Sequence, residues 1–197
     1  MGTNSLNVHV FGSDNDALYL GAQGIDLSAM TLTSEIPAEM IECGWLSDDG
    51  STLGMKDSTK AIQGHQGHAN VLTFMDSSDT TLEATLLESK LQTFLWNLDA
   101  TAEQISASGD AAAYTKITAK ASRRVINLCA IWDTFDTLHD DVKWRYVFPL
   151  VSLGERDEIP FKAGEITAYK FALNVLGDFV ITTDAEGMQL PSAPVVP

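Results

Sequence analysis

The run Thr81-Leu-Glu-Ala-Thr-Leu-Leu87 alternates strictly, with Leu82, Ala84 and Leu86 interleaved between Thr81, Glu83 and Thr85. Successive side chains on a strand point to opposite faces, so this run predicts a strand with one apolar and one polar face. The period then changes. Leu87, Leu91, Phe94, Leu95 and Leu98 recur at helical spacing and predict an amphipathic helix over about 88–98, covering a face or an open end of a sheet. Glu88 near its start suits the helix dipole, whereas Asp99 at its end opposes it.

Further downstream, Val142, Trp144, Tyr146 and Phe148 alternate with Lys143, Arg145 and Val147 in the clearest strand of the chain, which Pro149 is expected to end. Thr167, Tyr169, Phe171, Leu173 and Val175 mark another strand within 165–176, and Gly177-Asp178 turns into a short one over 179–182. Upstream, Val8–Phe11 and Ala17–Leu20 read as two short strands. An irregular passage over 28–39 follows, and a connection that long without elements reads as an arm laid against a neighbour.

Residues 41–75 read as strand, turn, strand, loop, strand. Ser47-Asp-Asp-Gly50 carries turn chemistry, because Asp hydrogen-bonds its own backbone and glycine accepts a positive φ. Gln63-Gly-His-Gln-Gly-His68 is a glycine-spaced loop, after which Asn70–Met75 is extended. Residues 100–113 read as a surface loop or short helix, and 115–128 as extended, continuing through Cys129, Ile131 and Trp132. Residues 133–141 form an acidic connector. The expected fold is mainly β: a two-sheet β-sandwich or partly closed barrel with one flanking helix and extended terminal arms. The expected organisation is an N-terminal arm with the first short strands over 1–40, the β domain over 41–182, and a tail over 183–197.

Charge sharpens the picture. Twenty-seven acids against 12 basic residues give a net charge of −15, and the first basic residue is Lys56. That field opposes binding to a nucleic-acid backbone, yet it suits a surface that DNA must pass without sticking. Apolar residues make up 45% of the 197 positions, enough for a sizeable core. No run approaches the length needed to cross a bilayer, so no membrane insertion is expected. Cys43 and Cys129 leave a single bridge open, with reduced and partly buried thiols as the expectation.

Candidate chemistry is sparse. Asp48 and Asp49 are adjacent, so on a strand they would point apart and need distant help to act as a pair; a turn is the plainer reading. His65 and His68, three apart with Asp57 upstream, are the nearest approach to a metal-ligand pattern, while His9 and His139 show no partner pattern. Neither a nucleophile elbow nor a phosphate loop is present. Trp45, beside the Asp-Asp-Gly turn, is a candidate anchor for a partner's pocket. Arg123, Arg124 and Arg145 are candidates for pairing with carboxylates of a neighbouring copy and setting register.

The order of two motifs carries a resemblance. Gly44-Trp-Leu-Ser-Asp-Asp-Gly50 followed by STLGMKDSTKAIQGHQG, and then VKWRYVFPLVSLGERDEIPFKAGEITAYKFALNVLGD over Val142–Asp178, resemble the major tail (tail tube) protein of long-tailed, non-contractile bacteriophages of actinobacterial hosts. The resemblance spans roughly residues 40–180. It implies a β-sandwich subunit that joins five neighbours in a hexameric ring with a continuous inner barrel. Rings would stack into a tube around a tape measure protein, between a tail terminator and a tail tip, and the tube would later conduct DNA without binding it specifically. The implied product is made in the host cytoplasm, ends in the virion tail, carries no cofactor and catalyses nothing. The alternatives are another virion or assembly protein (a terminator, neck or decoration protein), or a metal-binding module at His65 and His68.

Overall fold

The computed structural model describes residues 5–65, 67–108, 112–139 and 142–190. Its strands are β1 (Ala17–Ala22), β2 (Ile41–Glu42), β3 (Leu46–Gln63), β4 (Asn70–Leu86), β5 (Ala100–Ile105), β6 (Tyr114–Ala119), β7 (Ile126–Asp136), β8 (Val142–Arg156), β9 (Tyr169–Val175) and β10 (Val180–Thr183). One helix, α1 (Leu91–Leu98), lies between β4 and β5. The fold is mainly β, with two sheets. An eight-stranded sheet runs in the order β2-β1-β7-β8-β9-β4-β3, with β10 also paired to β8, and β5 pairs β6 separately. The larger sheet ends on β2 and β3 and is not closed into a barrel, which corrects that half of the expectation. Among the described residues no helix is long and apolar enough to cross a membrane.

The chain divides into two compact units. The first comprises the described parts of Met1–Trp45, Leu128–Leu150 and Gly177–Pro197. Here β1 lies between β2 and β7, with Tyr19 opposite both Glu42 and Ile131. Leu27, Met40, Cys129, Ile131 and Val147 form a buried cluster, and Tyr19, Ile25, Met30 and Ile36 pack against it. The irregular passage packs Met30 and Ile36 onto its own unit, where these apolar side chains leave water. Each such large side chain contributes about 1.5–3 kcal/mol when fully buried. Both cysteines are buried, with their thiols reduced.

Three further expectations change in this unit. Val8–Phe11 is not a strand: Phe11 makes one isolated bridge to Asp136, and Thr137 donates its backbone N–H to Val10 O at 2.8 Å. The acidic connector is largely strand, for Asp133 and Asp136 lie buried within β7. Strand β8 does not end at Pro149. Its pairing with β10 stops at Val147 and its pairing with β9 starts at Val151, so on that edge the proline falls in the gap between two partners. Met1, Gly2, Asp140, Asp141 and tail residues 191–197 lie outside the described residues.

The second unit comprises the described parts of Leu46–Asn127 and Val151–Leu176. Leu82, Ala84 and Leu86 face inward as the alternation requires, and they lie opposite Leu173, Phe171 and Tyr169 of β9, all buried. The expected turn at Ser47–Gly50 does not reverse the chain. Leu46 pairs with Leu86 and Ser51 with Ala84, so the four residues between them bulge out of β3, with Gly50 at φ +65°.

Helix α1 begins three residues later than expected and ends where Asp99 adopts the left-handed conformation at φ +47°. Its fully buried positions are Thr93 and Asn97, one turn apart, while Leu91 is exposed. Each buried polar group is satisfied: Thr93 Oγ1 donates to Lys90 O and Asn97 Nδ2 donates to Lys170 O. Residues 100–105 are the strand β5 and not a loop or helix; Gly109-Asp110 lie outside the described residues.

Candidate functional site

Two features stand out, and each is built within one unit. The first is the distal part of the β3–β4 hairpin. Strand β4 pairs with β9 only over Thr81–Leu86, whereas β3 and β4 stay paired out to Gln63 and Asn70. Beyond Thr81 the hairpin is thus a two-stranded ribbon on the order of 30 Å long at the usual rise per residue. Gly64 N–H donates to Ala69 O at 2.9 Å, and Gly67 and His68 take positive φ in the closing turn.

Every residue over 55–63 and 70–79 is exposed. Among them are Met55, Ile62, Val71, Leu72, Phe74 and Met75. Ile62 lies directly opposite Leu72, and Phe74, two residues on, shares their face. An isolated two-stranded hairpin is marginal in water, and a contiguous exposed apolar patch marks an interaction surface.

The second feature is a cluster of His9, Asp136 and His139, whose ligand atoms lie within 4.8 Å of one another. Asp136 closes β7 and is completely buried. Its Oδ1 accepts from the backbone N–H groups of Val10 (3.1 Å) and Leu138 (2.9 Å). Its Oδ2 faces His9 Nδ1 and His139 Nδ1, each at 2.7 Å. Burial alone would push this carboxyl up, but the bonds from His139, Leu138, His9 and Val10 outweigh it and hold the group well below the usual carboxylate range. His9 also packs edge-on against Trp144, with centroids 5.4 Å apart.

The residues singled out in the sequence are dispersed. Trp45 is 73% exposed at the boundary before β3. Asp48 and Asp49 are exposed in the β3 bulge. His65 and His68 lie exposed in the ribbon's turn, and the convergence of ligands among the described residues is at the other two histidines. Arg145 is buried and bound inside its own unit: Nε and Nη2 donate to Asp133 at 2.7 Å each, and Nη1 donates to Thr31 O and Ser34 O. Arg123 is exposed.

Arg124 meets Asp99 with its backbone N–H at 3.0 Å and with its guanidinium at 3.2 and 3.4 Å. The Arg124 side chain and amide hold the Asp99 carboxyl below its ordinary range, so an acid at the wrong end of α1 is compensated locally. Arg156 also serves this helix end. Its Nε donates to Asn97 O at 2.6 Å and its Nη2 to Trp96 O at 3.4 Å, meeting carbonyls that a helix end leaves open. The triad was missed because 127 residues separate His9 from Asp136; only the spacing Asp136-x-x-His139 was visible.

No protein-family model matches the chain, and no curated protein matches it.

Proposed function

We propose that the chain is a structural subunit that acts by assembling with copies of itself, as a tail tube protein of a long-tailed, non-contractile bacteriophage. The observation that carries this reading is the exposed ribbon. It presents Ile62, Leu72 and Phe74 on one face, and its two strands have unpaired outer edges beyond Thr81 among the described residues. Free edges and uncovered apolar side chains are a liability on an isolated chain and a joining device on a repeated one. A ribbon of one copy seated on a different surface of the next is a heterologous contact, which propagates as a ring or a filament.

In this reading the two sheets form a sandwich, six copies close a ring, and rings stack into a tube on a tape measure protein between tail terminator and tail tip. The net charge of −15 then supplies a channel wall that repels DNA phosphates during genome delivery. The motifs around Gly44–Gly50 and Val142–Asp178 support the same reading. The test is sedimentation velocity of the full chain against an Ile62→Asp/Phe74→Asp variant. The native chain is expected to form species of six copies or more, and the variant to stay monomeric with an unchanged circular dichroism spectrum. Identical distributions would overturn the proposal.

A second reading, a metal-binding module, is favoured by one observation, the convergence of His9, Asp136 and His139. It does not compete with assembly, because a bound ion inside one unit leaves the ribbon free to join copies.

A further inference from the structure

We propose that His9, Asp136 and His139 bind one divalent transition-metal ion of the zinc class, and that the ion clamps the segment before β1 onto the end of β7. The inference deepens the metal-binding reading and stands apart from assembly.

The donor set selects the ion. Two imidazoles and one carboxylate are borderline ligands that favour zinc, cobalt, nickel or copper over magnesium and calcium, which take all-oxygen shells. Three protein ligands leave a fourth position for water. Both histidine side chains retain some exposure, 17% and 20%, so an ion and a water can reach them.

The carboxylate is preorganised. Oδ1 is occupied by two backbone amides, and Oδ2 is left facing two imidazole nitrogens. Donors about 2 Å from a tetrahedral ion lie roughly 3.3 Å from one another; here Oδ2 stands 2.7 Å from each Nδ1, and the ligand atoms all lie within 4.8 Å of one another. On binding, each neutral imidazole carries its proton on Nε2 and gives its Nδ1 lone pair to the ion. Two N–H···O bonds are exchanged for three metal–ligand bonds, and the proton that each Nδ1 held toward Oδ2 leaves that nitrogen.

The consequence is mechanical. His9 precedes β1, whereas Asp136 and His139 stand at the end of β7 and just beyond it. The segment is also attached there by the Phe11–Asp136 bridge, by the bonds of Val10 to Thr137 and Asp136, and by Asp16, which accepts from Thr134 Oγ1 and Phe135 N–H. An ion ligated from both sides adds a cross-link over a long loop of sequence, and binding only the folded state raises stability by mass action.

The test uses the untagged full chain, stripped with a chelator and titrated with zinc chloride by calorimetry, with thermal unfolding and hydrogen exchange of residues 8–11 as further readouts. One ion per chain, a raised Tm and added protection of residues 8–11 are expected, with magnesium giving none of these. His9→Ala and His139→Ala should each weaken binding by at least roughly tenfold, while His65→Ala/His68→Ala should not change it. Cobalt bound to the native chain should show visible bands of nitrogen and oxygen ligation, a readout that survives if a variant fails to fold. Absence of stoichiometric binding, or its loss on changing His65 and His68, overturns the site. Binding without added stability or protection keeps the metal-binding reading and overturns the clamp.

Discussion

Arg145 of β8 and Asp133 of β7 meet through two parallel hydrogen bonds of 2.7 Å, in a position where the arginine side chain is only 3% exposed. The same guanidinium donates to Thr31 O and Ser34 O, so the pair ties the irregular passage to the strands beneath it. Lys143 Nζ also reaches Asp133, at 2.8 Å. Removing one partner of a buried pair leaves an uncompensated charge and costs about 3–5 kcal/mol. Asp133→Ala, which strands the buried guanidinium, should cost more than Arg145→Ala, which leaves the aspartate its lysine. Chemical denaturation of both variants checks the order, and the reverse order would show that the lysine does not compensate.

Acid should act at the end of α1. The Asp99 carboxyl is held below its ordinary pKa of 3.8 by the side chain and backbone of Arg124. A carboxyl with a depressed folded pKa stabilises the fold fully above its unfolded pKa, and that contribution is lost as pH falls through the folded value. The native chain should therefore exceed Asp99→Asn in stability at neutral pH, with the gap closing below about pH 3.8. Denaturation midpoints of both chains between neutral and acid pH measure it; a gap that persists unchanged to low pH would assign the effect to packing.

The first unit should be sensitive to a single methyl group. A Cβ on Gly21 would lie 2.6 Å from Ile25 Cδ1, 3.0 Å from Cys129 Sγ and 3.1 Å from Met40 Cγ. Those contacts join the two ends that flank the irregular passage to β7, so Gly21→Ala is expected to cost about 1–3 kcal/mol by overpacking. Thermal unfolding reads the loss. Gly24→Ala, with open space around its Cβ but φ at +103°, separates backbone strain from crowding.

The ribbon should be dispensable for folding. Replacing Leu72 or Phe74 by Asp changes residues already exposed to water, so stability should move by no more than about 0.5 kcal/mol. Denaturation curves that overlay the native one, alongside lost assembly, would separate the two roles.

Period-two patterning was legible wherever one face of a strand is buried and the other is less so. Leu82, Ala84 and Leu86, and Tyr169, Phe171 and Leu173, took the predicted sides. It failed where side chains on both faces are buried: Trp144, Arg145, Val147 and Phe148 are all buried in β8, so alternation could not tell inside from outside there. Polar groups misled for a related reason. Asp133 and Asp136 read as a connector because a sequence does not display the distant Arg145, His9 and backbone donors that make their burial affordable. The inner face of α1 was read from its leucines, yet Thr93 and Asn97 fill it by bonding main-chain carbonyls. The ribbon was visible only as extended segments around a glycine-spaced loop, since exposure on both faces is a property of the missing third strand.

Electron microscopy of the purified full chain at rising concentration tests the central claim most directly. Six-membered rings and open-ended tubes, absent from the Ile62→Asp/Phe74→Asp variant, are the expected result. Isolated single chains at every concentration, or assemblies that the variant forms equally well, would contradict it.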